Sequence, residues 1–181
     1  MLIFQKNFEK KFKYRQDRML ENVLRSRIFD FSYTINMSED FVDLYNCFLE
    51  TVKSIFKTCN LIPKNPACYA CVLDNRFSHT LWHTHVATSH ISAAFYLKQP
   101  SEIGFQAESG EFTIKPKEFD MLIFSSQDYH KPMAPKNKDL RVSLNIETYC
   151  KEGINVFNKS NSFVRPQTAG SSRTRRNVER R

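Results

Sequence analysis

Three histidines and an arginine constrain the fold of this chain more than any other feature. His83 and His85 are separated by one residue, so in an extended strand their side chains project from the same face and can hold one ion. His130 lies far downstream and has to reach them from another strand, as ligands do in a β-barrel. Arg141 and Ser143 share a face by the same period of two, and a guanidinium beside a hydroxyl suits a carboxylate. The pattern predicts a metal site with an anion-binding clamp beside it.

Short segments rich in β-forming residues follow one another from residue 67 onward, with turn residues between them. Such spacing is typical of a sandwich or barrel and not of a βαβ fold. The predicted strands are 67–73, 80–86, 90–98, 102–106, 111–115, 119–125, 140–148 and 153–157. Within 90–98, small or polar residues alternate with bulky apolar ones, and the face that carries Tyr96 is the candidate lining of a pocket.

The amino-terminal part of the chain predicts helices and one strand. The charged, aromatic segment 8–15 and the segment 19–25 are compatible with short helices, and 28–35 alternates like a strand. Ser38 is placed to cap a longer helix whose first turn is acidic. Apolar residues recur along this helix at helical spacing and predict a face packed on the sheet. They are Phe41, Leu44, Tyr45, Phe48, Val52, Ile55 and Phe56.

The order of these motifs resembles a known family. His83-Thr-His85 is followed by Ser92-Ala-Ala-Phe-Tyr-Leu97, Gly104-Phe105, Lys115 to Phe124, His130 and Arg141-Val-Ser143. This order is similar to that of the iron(II)/2-oxoglutarate oxygenases, in the small phage and bacterial branch related to prolyl hydroxylases. The resemblance covers residues 67 to 148, with a weaker extension over the amino-terminal helical region. It implies a double-stranded β-helix, the jelly-roll or cupin-like barrel, with an amino-terminal helical region packed on one face. One oxygenase domain would then span 1–158.

The resemblance also implies a function and a set of site residues. The expected activity is that of a dioxygenase that binds iron(II), 2-oxoglutarate and O₂ and hydroxylates a substrate with release of succinate and CO₂. His83, His85 and His130 would hold the iron, while Tyr96, Arg141 and Ser143 would contact the 2-oxoglutarate. Asn145 lies on the same face as Arg141 and Ser143. There it would form a hydrogen bond with the co-substrate or with a ligand histidine, or its amide would point inward and bond to polar groups of the barrel.

The ligand set departs from the usual pattern of that family, which is His-x-Asp or His-x-Glu. His85 stands where the carboxylate is expected, and a third imidazole would leave the centre with one more positive charge. Asp128 lies two residues before His130 and shares its face if that segment is extended. It is the alternative ligand.

Three other interpretations remain open. A cupin would share the barrel, the His-x-His pair and a later histidine after a segment like Pro116 to Asp120, but the acid that cupins carry after the pair is missing here. Arg141 and Ser143 would have no role in a cupin. A non-catalytic barrel would bind iron weakly and would not turn over 2-oxoglutarate. A nucleic-acid-binding protein would depend on the basic tail, with affinity that falls steeply with salt.

Charge is concentrated at the end of the chain. Residues 151–181 contain eight basic and two acidic residues, which account for +6 of the net charge of +8. The segment 159–181 lacks periodicity and bulky apolar residues and is expected to be a disordered tail. Without an aromatic residue after Phe163 to stack on bases, a solubilising role is favoured over nucleic-acid binding. Lys131, Lys136 and Lys138 favour an anionic primary substrate, although a solvated loop would also explain them.

Cysteine usage and hydropathy bear on the compartment. The five cysteines are odd in number and lack a disulfide-framework spacing, which suits a reducing compartment. Cys68 and Cys71 are interpreted as small apolar residues of a buried strand and not as a metal or redox motif. No segment has the length of a signal peptide or a membrane span, so we expect a cytoplasmic protein without membrane contact.

Overall fold

The computed structural model describes residues 1–25, 32–76 and 81–159, and antiparallel sheets dominate it. Only the end of the predicted strand 28–35 falls within these ranges. The predicted tail, 159–181, lies outside the described residues from position 160 onward. In the described part of the chain, no helix combines the length and the apolar character that crossing a membrane requires.

The amino-terminal part contains most of the helices. Its elements are β1 (Phe4–Asn7), α1 (Glu9–Phe12), a 3-10 turn (Lys13–Arg15), α2 (Gln16–Arg25), β2 (Ser32–Thr34) and α3 (Glu39–Ile55). The helical segments predicted at 8–15 and 19–25 are therefore present. The helix expected after Ser38 begins at the next residue.

The eight predicted strands are present with two exceptions, and two short strands, at 61–62 and 130–132, were not predicted. The strands of this part of the chain are β3 (Leu61–Ile62), β4 (Cys68–Leu73), β5 (Ile91–Lys98), β6 (Ile103–Ala107), β7 (Gly110–Ile114), β8 (Asp120–Ser125), β9 (His130–Pro132) and β10 (Arg141–Cys150). A 3-10 turn (Gly153–Asn155) and α4 (Val156–Lys159) come last.

The two exceptions are predicted strands that the structure does not contain. The segment 80–86, described from residue 81, makes one isolated bridge at His83 and then turns, because the backbone amides of Thr88 and Ser89 bond to the carbonyl of His85. The segment 153–157 is helical. Strand β10 ends at Cys150, the chain turns at residues 151–152, and Gly153 begins a 3-10 turn with a positive φ of 61°.

Two sheets pack face to face and form the jelly roll. The larger sheet has the strand order β1-β8-β5-β10-β4-β2, with β3 paired to the end of β10, and the smaller has the order β7-β6-β9. Side chains of β5, β6 and β8 fill the space between the sheets. They are Ala94, Tyr96, Ile103, Phe105, Leu122 and Phe124. The double-stranded β-helix predicted from the sequence is thus confirmed.

The other face of the larger sheet packs against the helices. Phe95 of β5 and Leu144 of β10 belong to this helical core, and the rings of Phe12 and Phe95 meet at 5.5 Å between centroids. Because neighbouring residues of a strand point to opposite faces, Tyr96 and Ser143 are directed into the space between the sheets. The predicted alternation on β5 is confirmed.

Helix α3 packs as its apolar spacing predicts. Phe41, Leu44, Phe48 and Val52 are all fully buried. Ser38 is the N-cap residue in extended conformation, and its carbonyl accepts the first helical hydrogen bonds from Phe41 and Val42, but its hydroxyl makes no capping bond. The position of the helix start was right, while the side-chain bond expected of the cap is not formed.

Candidate metal centre and anion pocket

Three histidines converge at one end of the space between the sheets. His130 lies on β9, while His83 and His85 lie in the segment before β5. Each of the three rings offers a nitrogen, and these nitrogens lie within 4.8 Å of one another. The closest pair is Nε2 of His85 and Nε2 of His130, at 3.2 Å. The structure therefore brings together all three residues predicted as ligands.

Backbone hydrogen bonds hold the histidines in place. His83 and His130 form an antiparallel bridge in which each amide donates to the other's carbonyl at 3.1 Å. The amide of His85 donates to the carbonyl of Ser126, at the end of β8. Beneath this turn the hydroxyl of Ser126 lies 2.6 Å from that of Ser89. The cluster is thus fixed by contacts to two strands of different sheets.

The hydrogen bonds of the rings determine which nitrogen is free. In each ring Nδ1 lies near an acceptor: the carbonyl of Leu81 at 3.0 Å from His83, the carbonyl of Asp128 at 3.0 Å from His130, and a carboxylate oxygen of Glu147 at 2.7 Å from His85. In its neutral form each ring would carry its proton on Nδ1, which leaves the lone pair of Nε2 available to a metal.

This arrangement suits a bound cation. The Nε2 atoms of His85 and His130 lie 3.2 Å apart, so one ion between them could accept both lone pairs. At a metal–nitrogen distance of about 2.1 Å, that separation corresponds to an angle of about 100° at the ion. Three neutral imidazoles are a normal donor set for iron or zinc. The residues present fit a transition metal.

Burial keeps two of the imidazoles neutral. It lowers the pKa of His130 to about 3, and it also lowers the pKa of His83. A histidine has to be neutral to bind a metal, so these rings do not need to lose a proton near neutral pH.

Arg141 lines the pocket and has no anionic partner among the residues that the structure describes. It is 1% exposed, and among the described residues no carboxylate lies within ion-pair distance of its guanidinium. Nη1 donates to the hydroxyl of Ser143 at 3.0 Å and approaches the sulfur of Cys71 at 3.8 Å, while Nε has no hydrogen-bond partner in the described chain. Burying a cation without a counterion is costly. An anionic ligand would remove that cost.

His83, His130 and Arg141 share one pocket. Its empty space amounts to about 390 Å³ when the open mouth is counted. Its lining consists of Cys71, His83, Ala94, Ile103, His130, Pro132, Arg141, Ser143 and Asn145. The candidate ligands and the candidate clamp are therefore close enough to contact one small molecule.

Tyr96 and Asn145 complete the set of predicted co-substrate residues. Tyr96 is fully buried, the guanidinium of Arg141 lies 5.3 Å from the centre of its ring, and burial raises the pKa of Tyr96 to about 12. No hydrogen bond of normal geometry reaches its hydroxyl within the described ranges. Tyr96 is not part of the pocket wall, whereas Asn145 is. A hydroxyl that stays neutral and a nearby guanidinium can both donate to a ligand oxygen.

Asp128 does not join the histidine cluster. Its carboxylate accepts a hydrogen bond from the amide of Ser125 at 3.2 Å, and its own amide bonds back to the carbonyl of Ser125. Residues 125–128 therefore form a turn, and the extended geometry that would place Asp128 beside His130 is absent. Burial raises the pKa of Asp128 to about 6.

We expect Asp128→Asn to stabilise the metal-free protein at pH 7.5 by about 1 kcal/mol, a value reduced for partial exposure. The folded-state pKa of about 6 exceeds the ordinary value of 3.8, so the wild type regains stability as the pH falls through 6. The advantage of asparagine should therefore shrink by pH 4.5 in urea unfolding.

The same variant separates the two candidate ligand sets. Asparagine can still accept the hydrogen bond from Ser125, so metal affinity should stay within about threefold of the wild type. The exposed Asp139→Asn is the control. A large loss of metal affinity in Asp128→Asn alone would make Asp128 a ligand.

Glu147 is a site residue that the sequence did not reveal. It is 5% exposed, and Oε1 lies 2.7 Å from Nδ1 of His85. Burial acts to raise the pKa of Glu147, but the interactions with His85, followed by those with Thr88 and Lys64, together outweigh it, and the pKa is lowered. The signal was available, because Glu147 continues the period of two that runs through Arg141, Ser143 and Asn145.

The cysteines form no disulfide among the described residues, and all five are free. Cys68 and Cys71 are buried in β4, as predicted. Cys59, Cys150 and Glu152 place two sulfurs and a carboxylate within 4.8 Å. These groups already have partners: Glu152 accepts hydrogen bonds from Asn60, and the thiol of Cys150 donates to a carbonyl. We assign no second metal to them.

Comparison with known proteins identifies the fold. No family model and no curated protein matches the sequence. The chain is similar to a viral collagen prolyl hydroxylase, vCPH from Paramecium bursaria Chlorella virus-1, at 11% identity and a TM-score of 0.60, over 81% of this chain and 88% of that one. It is also similar to iron-bound HygX from Streptomyces hygroscopicus, at 10% identity and a TM-score of 0.59, over 80% of each chain. A third similar structure is SnoN, a non-heme α-ketoglutarate-dependent epimerase from nogalamycin biosynthesis, at 10% identity and a TM-score of 0.59, over 80% of this chain and 76% of that one.

The chain therefore has the fold of the iron- and 2-oxoglutarate-dependent oxygenases. At these identities the likeness concerns the fold, so the residues of the site have to support any function.

Proposed function

We propose that this protein is an iron(II)- and 2-oxoglutarate-dependent dioxygenase that hydroxylates a substrate with release of succinate and CO₂. The observation that supports it most is the buried Arg141, which lacks an anionic partner in the described structure and opens onto the same pocket as His83 and His130. The domain responsible would span 1–158, with 159–181 as an appended basic tail.

His83, His85 and His130 would hold iron(II) through their Nε2 atoms. Three nitrogens on one side of an ion leave positions open for the 2-oxo and carboxylate oxygens of 2-oxoglutarate and for O₂. The bound iron would supply the oxidising power for the reaction.

Arg141 and Ser143 would bind the distal carboxylate of 2-oxoglutarate. The guanidinium offers a planar set of donors, and its contact with the hydroxyl of Ser143 fixes its direction. Tyr96 and Asn145 would add donors to the same ligand. A carboxylate there would supply the missing partner of the buried cation, and the low exposure of the pocket would keep water from the reacting atoms.

A cupin-type metal site without 2-oxoglutarate is the less favoured alternative. It would account for the three histidines. It gives no reason for a buried arginine at the base of the pocket, since a metal cation and an unpaired guanidinium repel each other without an anion between them.

The proposal is tested by anaerobic titration of the metal-free protein with iron(II) and 2-oxoglutarate. We expect the weak visible charge-transfer band of the chelate, followed by succinate formation when O₂ is admitted. Glutarate, which has both carboxylates but no oxo group, is the matched probe and should give no band. Iron binding without a band from 2-oxoglutarate would overturn the proposal and favour the cupin-type or non-catalytic site.

A further inference from the structure

Glu147 is placed to act on the metal through His85. The proposed ligand set has three neutral imidazoles, whereas the family pattern has two imidazoles and a carboxylate at the position of His85. Glu147 supplies the missing negative charge from behind His85. Its carboxylate contacts Nδ1 of the His85 ring, and Nε2 of the same ring faces His130. The carboxylate therefore lies beside the centre and not on it.

We infer that Glu147 is a positioning residue that fixes the tautomer and orientation of His85 and compensates one positive charge of the bound metal. The inference rests on the proposed metal centre of the preceding subsection. Under this inference, neither His85 nor Asp128 has to supply the negative charge that the family pattern places on the metal. Glu147 supplies it without touching the ion.

The surroundings of Glu147 leave His85 as its dominant partner. Glu147 sits in β10 opposite Ser92 of β5, and it is buried. Its second oxygen, Oε2, makes no hydrogen bond of normal geometry with any described residue. Thr88 and Lys64 also act on the carboxylate, but less strongly than His85 does.

The two imidazoles without a carboxylate partner serve as internal comparisons. Nδ1 of His83 and Nδ1 of His130 donate to backbone carbonyls, which carry no net charge. Only His85, among the three, is bonded to a group that can offset the charge of the ion. Hydrogen-bonded carboxylates of this kind raise the basicity of a ligand histidine and strengthen metal binding.

The test is the affinity of the protein for cobalt(II) in the absence of 2-oxoglutarate, measured by calorimetry and by the visible spectrum of the bound ion. Glu147→Gln keeps the shape and a hydrogen-bond acceptor but removes the charge, so affinity should fall by about 10- to 100-fold. In the iron-loaded variant the reduction potential should become more positive. Asp120→Asn is the matched control, since Asp120 is a buried, hydrogen-bonded carboxylate that accepts from Gln5 and Asn7 and contacts none of the three histidines.

A second background tests whether Glu147 acts through His85. In His85→Asp the donor to Glu147 is gone and two carboxylates face each other, so Glu147→Gln should leave cobalt affinity unchanged or increase it. An equal loss in both backgrounds would mean that Glu147 acts on the fold, and it would overturn the inference.

The remaining outcomes separate the two proposals. Wild-type affinity in Glu147→Gln, with the 2-oxoglutarate band intact, would remove the role of Glu147 and leave the proposed function standing. Loss of cobalt affinity in Glu147→Gln in a protein that shows no 2-oxoglutarate band would support Glu147 and overturn the dioxygenase. A wild type that binds no metal would overturn both.

Discussion

Arg141→Met should abolish high-affinity 2-oxoglutarate binding and at the same time make the ligand-free protein more stable. Methionine is close in length to the buried part of arginine and carries no charge. The variant therefore removes a cation that has no carboxylate partner in the described part of the chain, and it keeps most of the packing volume at a residue that is 1% exposed. Loss of one member of a buried charge pair typically costs on the order of 2–5 kcal/mol, which raises a dissociation constant by about 30-fold or more.

The gain in stability has a separate cause. In the ligand-free wild type the desolvation cost of Arg141 is offset by hydrogen bonding to Ser143 and a long contact to Cys71, with no carboxylate partner among the described residues. Replacing buried ionic groups with apolar ones can stabilise a protein by about 1–4 kcal/mol, and we expect the lower end of that range here.

Both effects can be measured on one sample. The first is the 2-oxoglutarate dependence of the anaerobic iron band, and the second is the free energy of unfolding of the metal-free protein in urea. Arg76→Met is the control, because Arg76 is an exposed arginine paired with Asp74 and should leave both quantities nearly unchanged. Unaltered 2-oxoglutarate affinity in Arg141→Met would place the anion clamp elsewhere, and a marked loss of stability would make Arg141 a structural residue.

The parts of the fold that sequence could predict are those with a complete local pattern. Strand β5 alternates small and bulky residues, and both of its faces are buried as the alternation requires. Helix α3 has a continuous apolar stripe and a good N-cap residue, so its start is correct to the residue. In both elements the apolar residues that set the local secondary structure are also the residues that pack in the core, so local propensity and tertiary packing favour the same structure.

The parts that sequence missed depend on distant partners. Strand β1 has no strong β pattern, and it forms because its backbone pairs with the edge of the larger sheet, with Phe4 opposite Ile123. The short strand β3 forms in the same way against the end of β10. A strand at a sheet edge gains its hydrogen bonds from a neighbour that is far away in the sequence.

The sequence predicted which three histidines form the cluster but not how the chain brings them together. Residues two apart share a face only where the chain is extended. This condition holds in β10 but not at His85 or at Asp128. The chain leaves extended geometry after His83, so that His85 begins a turn, and Asp128 lies in a turn before β9. The three histidines still converge because barrel topology, and not the strand period, brings these segments together.

His130→Ala should remove metal binding, and we expect the affinity for cobalt(II) or iron(II) to fall by 100-fold or more, on the order of 3 kcal/mol. His130 is the most buried of the three ligands, and its Nε2 is the one found 3.2 Å from that of His85. Two histidines alone cannot surround one side of the ion. The backbone bridge to His83 survives the change, because it uses main-chain atoms only.

The loss of a ring is expected to have a second, metal-independent effect. His130 packs against Phe124 and Phe105, with ring centroids at 4.8 and 6.0 Å, so alanine leaves a cavity and lowers the stability of the metal-free protein. Stability alone therefore does not report on the metal. The increase in melting temperature on adding cobalt(II) does, since only an ion that binds the folded state produces it.

His90→Ala is the matched control for this measurement. His90 is also a partly buried histidine, but its Nδ1 lies 3.0 Å from the carbonyl of Cys150 and it is outside the cluster. The wild type and His90→Ala should both gain thermal stability from cobalt(II), and His130→Ala should gain none. A similar gain in all three proteins would place the metal away from the three histidines, and it would remove the basis for an oxygenase centre at this end of the barrel.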